Sequence, residues 1–151
     1  VNINELLERC IMLSQHKLTL QNIQIETHLD PEIPMVWGDF NQIQQCIVNL
    51  IFNSVDAMPE GGTLTLRSYL NQHNDIVEIS VEDTGHGIAG EDLPYIFDPF
   101  YSTKTEGKGL GLGLSTVYGI IDRHKGTINV NSALKKGAVF TIKLPIGRKG
   151  N

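Results

Sequence analysis

The stretch "DFNQIQQCIVNLIFNSVDAM", Asp39 to Met58, limits the possible folds more than any other part of the chain. Ile43, Cys46, Ile47, Val48, Leu50, Ile51, Phe52 and Val55 recur at helical spacing and cover most of a helix circumference. A helix that is apolar on nearly every side must be covered on nearly every side, so this segment is expected to be largely buried. Asp39 with Gln42 three residues later has the form of a capping box and marks the start. "MPEGG" marks the end, which places the helix from Asp39 to about Ala57.

The flanking periodicities show what could cover it. Ile3, Leu6, Leu7, Cys10, Ile11 and Leu13 predict an amphipathic helix over residues 3 to 16, with "NIQIETHL" after it as a short strand. "DPEIPMVWGD", with two prolines and a glycine, reads as a connector. "TLTLRSYL" and "DIVEISVED" are strands joined by the turn-rich "NQHN", which predicts a hairpin. From Gly85 to Gly113 there is little periodicity apart from a short helix near Glu91 to Phe97, and a connection that long is usually functional or mobile. "LSTVYGIIDRH" resumes a helix, and "GTINVNS" and "AVFTIKLP" close the chain as two strands. The 151 residues suit a single domain, 1–151, with one core. Strand pairs set between helices predict an α/β (α+β) two-layer sandwich, in which a mixed, mainly antiparallel sheet carries helices on one face. Doubly wound βαβ order fits less well.

Composition removes several function classes. No apolar run approaches the roughly 20 residues that cross a bilayer, and "VNINELLERC" lacks a signal pattern, so neither membrane insertion nor export is expected. A net charge of −5 argues against nucleic acid as a partner, because neutralising phosphates takes a basic surface. Cys10 and Cys46 sit among apolar neighbours, which predicts buried thiols in a reducing, cytoplasmic setting.

Three features carry chemistry. In "DIVEISVED", Val77, Ile79 and Val81 define the buried face of a strand, and Asp83 falls on that same face. A carboxylate there is costly unless a donor meets it; Asp83 either caps the turn made by Gly85 and Gly87 or serves a ligand. On the central helix, Gln42, Gln45, Asn49, Asn53 and Asp56 form one polar stripe. A solvated face is one reading. The stripe is mostly amide rather than Lys and Glu, and amides suit a hard cation or phosphate. In "FDPFYSTKTEGKGLGLGLSTV", Gly107, Gly109, Gly111 and Gly113 alternate just before a helix, an arrangement that offers backbone amides to phosphates. It is not a P-loop, since Gly109 follows Lys108, and not the dinucleotide fingerprint, since Leu114 stands where a third glycine is needed.

Taken in order, these stretches resemble the catalytic and ATP-binding domains of histidine kinases, members of the GHKL superfamily (Bergerat fold) with gyrase-type ATPases, heat-shock chaperones and mismatch-repair ATPases. "NLIFNSVDAM" is similar to the N box, "DTGHGI" to the first glycine box, "FDPFYSTK" to the F box and "GKGLGLGLS" to the second glycine box. The resemblance covers nearly the whole chain and implies a mixed sheet backed by helices. It implies that Asp83 accepts from the adenine amino group while Gly85 and Gly87 let the base lie against the backbone, with Ile88 beside them. It implies Asn53 as the Mg²⁺ ligand and Asn49 facing the phosphates, the two being the catalytic pair, with Asp56 in the same site. Residues 97 to 113 would be the ATP lid, with Phe97, Phe100, Lys104, Lys108, Gly109, Leu110, Gly111, Leu112, Gly113 and Leu114 at the nucleotide. Solvation is the alternative role for Lys104 and Lys108. Leu110 departs from the family, which more often has a hydroxyl residue there. "DAM" after the N-box asparagine resembles nitrogen-regulation-type sensor kinases.

ATPases and several serine kinases of this fold carry a glutamate at the position of Asn49, where it orients the attacking water or hydroxyl. An amide cannot act as that base, so transfer to an imidazole is expected over hydrolysis. None of His16, His28, His73, His86 and His124 is followed by an acidic residue, the pattern of a phosphoacceptor, so the acceptor is expected on a separate dimerisation domain, with a response regulator downstream. A membrane anchor elsewhere in a full-length kinase is compatible with this. The competing expectations are an ATP-driven conformational module or ATPase of the same superfamily, and a non-catalytic nucleotide-binding interaction module.

Overall fold

The computed structural model describes residues 1–71, 73, 75–98 and 110–147. The chain runs α1 (Ile3–Leu20), β1 (Ile23–Leu29), α2 (Phe40–Ala57), β2 (Gly62–Asn71), β3 (Ile76–Asp83), a 3₁₀ turn (Leu93–Tyr95), α3 (Leu110–Arg123), β4 (Thr127–Ser132) and β5 (Ala138–Pro145). The strands form one sheet in the order β1-β2-β3-β5-β4. β1 pairs with β2 in parallel, and the other three pairs are antiparallel. This is the mixed, mainly antiparallel sheet that the paired strand patterns predicted.

Register sorts the strands into two faces. Leu66 lies opposite Val81, and Val81 opposite Phe140; Ile79 lies opposite Ile142, and Val77 opposite Leu144. These residues are fully or almost fully buried and form the floor on which the helices pack. The other face carries Arg67, Glu82, Glu78, Thr141 and Lys143 in partial exposure, with Arg67 and Glu82 paired across β2 and β3. Helices on one side and polar residues on the other make the expected two layers.

α2 lies between its two neighbours. α1 runs parallel to it, with Cys10 Sγ at Gln44 O (3.8 Å) near one end and Gln21 Nε2 at Val55 O (2.9 Å) near the other. α3 runs antiparallel on the opposite flank, with Cys46 Sγ at Val117 O (3.9 Å) and His124 at Asp39. α2 is largely buried, as expected, but three helices in a single layer leave each one an outer strip. Phe52 stays 36% exposed, with Lys17 Nζ 5.7 Å from its ring centroid, and Val48 is half-buried.

Other boundaries also moved. α1 reaches Leu20 instead of residue 16, and it buries Ser14 and Leu18 while Leu13 is 55% exposed. The buried series Ile3, Leu7, Cys10, Ser14, Leu18 keeps helical phase, and Leu13 lies off it. The expected helix near Glu91 to Phe97 is only the 3₁₀ turn. α3 begins at Leu110, four residues before the expected start. Each interior glycine costs about 1 kcal/mol against alanine, a cost offset by burying Leu114, Val117, Ile120 and Ile121.

The capping box is half realised. Asp39 accepts from Gln42 N–H at 3.0 Å, but the Asp39 N–H donates to His124 Nε2 at 3.1 Å and not to the Gln42 side chain. His124 Nδ1 meets the Ile120 carbonyl at 2.8 Å. A carbonyl only accepts, so the network assigns the proton to Nδ1 and leaves Nε2 to accept. The last turn of α3 thereby pins the first turn of α2. Among the described residues no helix is long and apolar enough to cross a membrane.

Candidate functional site

β3 alternates half-buried and buried positions along its whole length, and Asp83 is its last buried one, at 3% exposure. Its Oδ1 accepts from Gly85 N–H (2.9 Å) and from Ala138 N–H (3.2 Å). Burial pushes its pKa above the ordinary carboxylate range, opposed by the Gly85 N–H, the nearby Ser54 hydroxyl, the Ala138 N–H and the charge of His86. Desolvation outweighs them together. Ser54 Oγ is itself fully buried and, although beside the carboxylate, completes no hydrogen bond. Asp83 therefore does cap its turn, but with one oxygen; Oδ2 keeps lone pairs for another donor.

The two glycines after it have a packing reason that local sequence did not reveal. A Cβ on Gly85 would lie 2.3 Å from the Ala57 carbonyl oxygen, at the end of α2. At Gly87, φ is +77° and a Cβ would lie 2.0 Å from the Ala133 carbonyl oxygen, in the turn between β4 and β5. The loop is thus pressed between a helix end and a hairpin turn. His86 N–H donates to Ala57 O at 3.0 Å, and Lys135 N–H donates to His86 O at 2.6 Å.

α2 ends against the loop after Asp83, so Asn53 and Asp56, the last members of its polar stripe, lie toward that end. Gln42, Asn49, Asn53 and Asp56 are half-buried and Gln45 is exposed. Asn53 directly precedes Ser54, which faces Asp83. Among the described residues the Asn49 and Asn53 amides have no hydrogen-bond partner, whereas Asp56 is engaged.

At the far side, Phe97 packs on Tyr118 (centroids 5.8 Å apart) and edge-on against Phe140 (6.4 Å). Leu114 is buried, and Ile88 packs half-buried against the core. Phe97 and Leu114 thus anchor the two ends of the expected lid. Phe100, Lys104, Lys108 and Gly109 lie outside the described residues. Leu110, Gly111, Leu112 and Gly113 form the first turn of α3, where N–H groups lack intrahelical partners. A Cβ on Gly113 meets nothing within 4 Å, so packing does not demand glycine there.

The profile of the family "Histidine kinase-, DNA gyrase B-, and HSP90-like ATPase" matches residues 38–148. The chain belongs to that family. Sporulation kinase A of Bacillus subtilis is 37% identical over 96% of this chain and 23% of its own length. The catalytic domain of histidine kinase ThkA superposes with a TM-score of 0.85 at 34% identity, covering 97% of this chain and 93% of that one. Full-length ShkA in complex with AMPPNP superposes with a TM-score of 0.87 at 27% identity, covering all of this chain and 31% of that one. The near end-to-end match to ThkA makes this a histidine-kinase catalytic domain, and it spans about a quarter of the length of sporulation kinase A.

The histidine-kinase domain holds no group of three or more His, Cys, Asp or Glu able to bind a metal among the described residues. Mg²⁺ takes oxygen ligands and completes its shell with waters and substrate phosphates, and the Asn53 amide oxygen, without a hydrogen-bond partner among the described residues, is a donor of that type. Sequence reasoning missed Ser54, the Ala57 carbonyl and Ser132. Ser54 continues the buried face of α2, but nothing in the local pattern marks any of the three, and their importance comes from what lies opposite them.

Proposed function

We propose that this domain binds Mg-ATP and transfers the γ-phosphoryl group to a histidine on a dimerisation domain outside the chain. The observation that carries this reading is the half-buried amide of Asn49, with no hydrogen-bond partner among the described residues, where an ATP-hydrolysing site would need a carboxylate. In this reading Asp83 Oδ2 accepts from the adenine amino group, the first turn of α3 offers N–H groups to the phosphates, and Asn49 donates to a phosphate oxygen. Asn53 would hold Mg²⁺ through its amide oxygen, and the ion would supply charge neutralisation for the phosphates. An imidazole needs no base to be nucleophilic: its nitrogen bonds to Pγ as the β–γ bridging bond breaks, ADP leaves with the electron pair, and the ring proton passes to water. A cytoplasmic response regulator would then receive the phosphoryl group.

Labelled ATP tests this. The domain alone should bind γ-labelled ATP, remain unlabelled and hydrolyse it slowly. With the dimerisation domain of its own kinase, an acid-labile, base-stable phosphate should form on that partner. Brisk hydrolysis with no transfer to the histidine domain would mean an ATPase module instead.

A further inference from the structure

We propose that Ser132 is a positioning residue for base recognition: its hydroxyl clamps the loop after Asp83 to the β4–β5 turn and so sets how the carboxylate meets a purine amino group. This rests on the reading of Asp83 given above. Ser132 ends β4 and belongs to none of the four boxes. A hydroxyl has one proton to give and lone pairs to receive, and Ser132 uses a lone pair toward the loop and its proton within its own hairpin. It accepts from Ile88 N–H at 2.9 Å and donates to the Gly137 carbonyl at 2.7 Å.

That small group ties together two segments which have little freedom to compensate. Gly137 has φ +75°, and a Cβ there would lie 2.2 Å from the Asp83 carbonyl oxygen. The next residue, Ala138, gives its N–H to Asp83 Oδ1. On the loop side, Gly87 meets Ala133, and His86 O accepts from Lys135 N–H. The turn therefore touches the carboxylate, its own backbone and the residues just after it, and Ser132 is the side chain that closes this ring of contacts. Without the hydroxyl, Ile88 N–H and Gly137 O both lose their partner, and the half-buried loop must shift or hydrate to recover one. A hydrogen bond from a base to Asp83 depends on angle as well as distance, so such a shift erodes discrimination between bases.

The test compares ATP with inosine triphosphate, which carries an oxygen in place of the adenine amino group, by calorimetric titration of the domain. The unmodified domain should prefer ATP by about tenfold or more. Ser132→Ala should shrink that preference to about one third or less, and Ser132→Thr, which keeps the hydroxyl, should restore it. A merely structural serine would weaken both nucleotides equally and leave their ratio unchanged. If Ser132→Ala does not fold, Ser132→Cys keeps the shape with weaker bonding and is read the same way. An unmodified domain with no preference overturns the reading of Asp83 and this inference with it. A selective parent with an equally selective Ser132 variant overturns the inference alone.

Discussion

Replacing Asp83 by Asn separates what this carboxylate does for the fold from what it does for a ligand. Asn is nearly the same shape and keeps an oxygen where Oδ1 accepts from Gly85 and Ala138. Both bonds lose charge assistance, a loss of about 1 kcal/mol each. Against that stands the cost of holding a charge at a site only 3% exposed. The raised pKa of Asp83 means that this cost exceeds the hydrogen bonds and the His86 attraction combined. Between the unfolded value of about 3.9 and the higher folded value, the folded state holds more protons. Stability from this group therefore falls as pH rises through that window, and the cost is complete above the folded pKa. At neutral pH the Asn variant escapes it, so its Tm should equal or exceed that of the parent, and its stability should fall less between acid and neutral pH. Nucleotide affinity should move the other way. Losing a hydrogen bond to a charged acceptor is worth about 1.5 to 3 kcal/mol, or roughly tenfold to a hundredfold in Kd for ATP. Inosine triphosphate should lose much less, because the Asn amide can donate to its oxygen. Thermal melts from pH 4 to 8, taken with titrations of both nucleotides, measure the two effects independently. A large drop in Tm with equal losses for both nucleotides would show that Asp83 serves the fold, and the base assignment would fail.

Gly87→Ala combines a φ of +77° with a carbonyl oxygen 2.0 Å from the new Cβ; at about 2 kcal/mol or more of strain, Tm should drop by about 4 to 8 °C, and an unchanged melt would refute the close approach. Asn53→Ala should leave metal-free nucleotide binding nearly intact and abolish the gain from added Mg²⁺; equal losses in both titrations would make Asn53 a structural residue. Burial pushes the thiols of Cys10 and Cys46 up to about 12, so neither should react with a disulfide reagent at pH 8 until denaturant is added, and stoichiometric labelling of the folded domain would contradict their burial.

Much of the architecture could be read locally because local geometry generates it. A period of two put Asp83 on the inner face of β3, since successive side chains in a strand must point to opposite sides. A period of 3.6 and the Asp39 cap located α2, and strand pairs with short turns between them implied antiparallel neighbours. The four boxes stand in order along the chain, so the family was legible before any contact was known. What local pattern could not supply was the identity of partners far away in sequence. His124 takes the Asp39 N–H from 85 positions along the chain. Ala138 reaches Asp83 across 55 positions, and Ile88 reaches Ser132 across 44. Which strip of α2 stays open depended on three helices sharing one layer, and so Phe52 ended outside despite its apolar spacing. Gly85 and Gly87 looked like room for a ligand, and only packing showed that the Ala57 and Ala133 carbonyls already occupy the space a Cβ would need. Periodicity is set by the geometry of neighbouring peptide units, whereas hydrogen-bond partners and close approaches are set by where the layers come to rest. Ser54, beside the carboxylate, and Ser132, which ties the following loop to the β4–β5 turn, took their meaning from the tertiary structure alone.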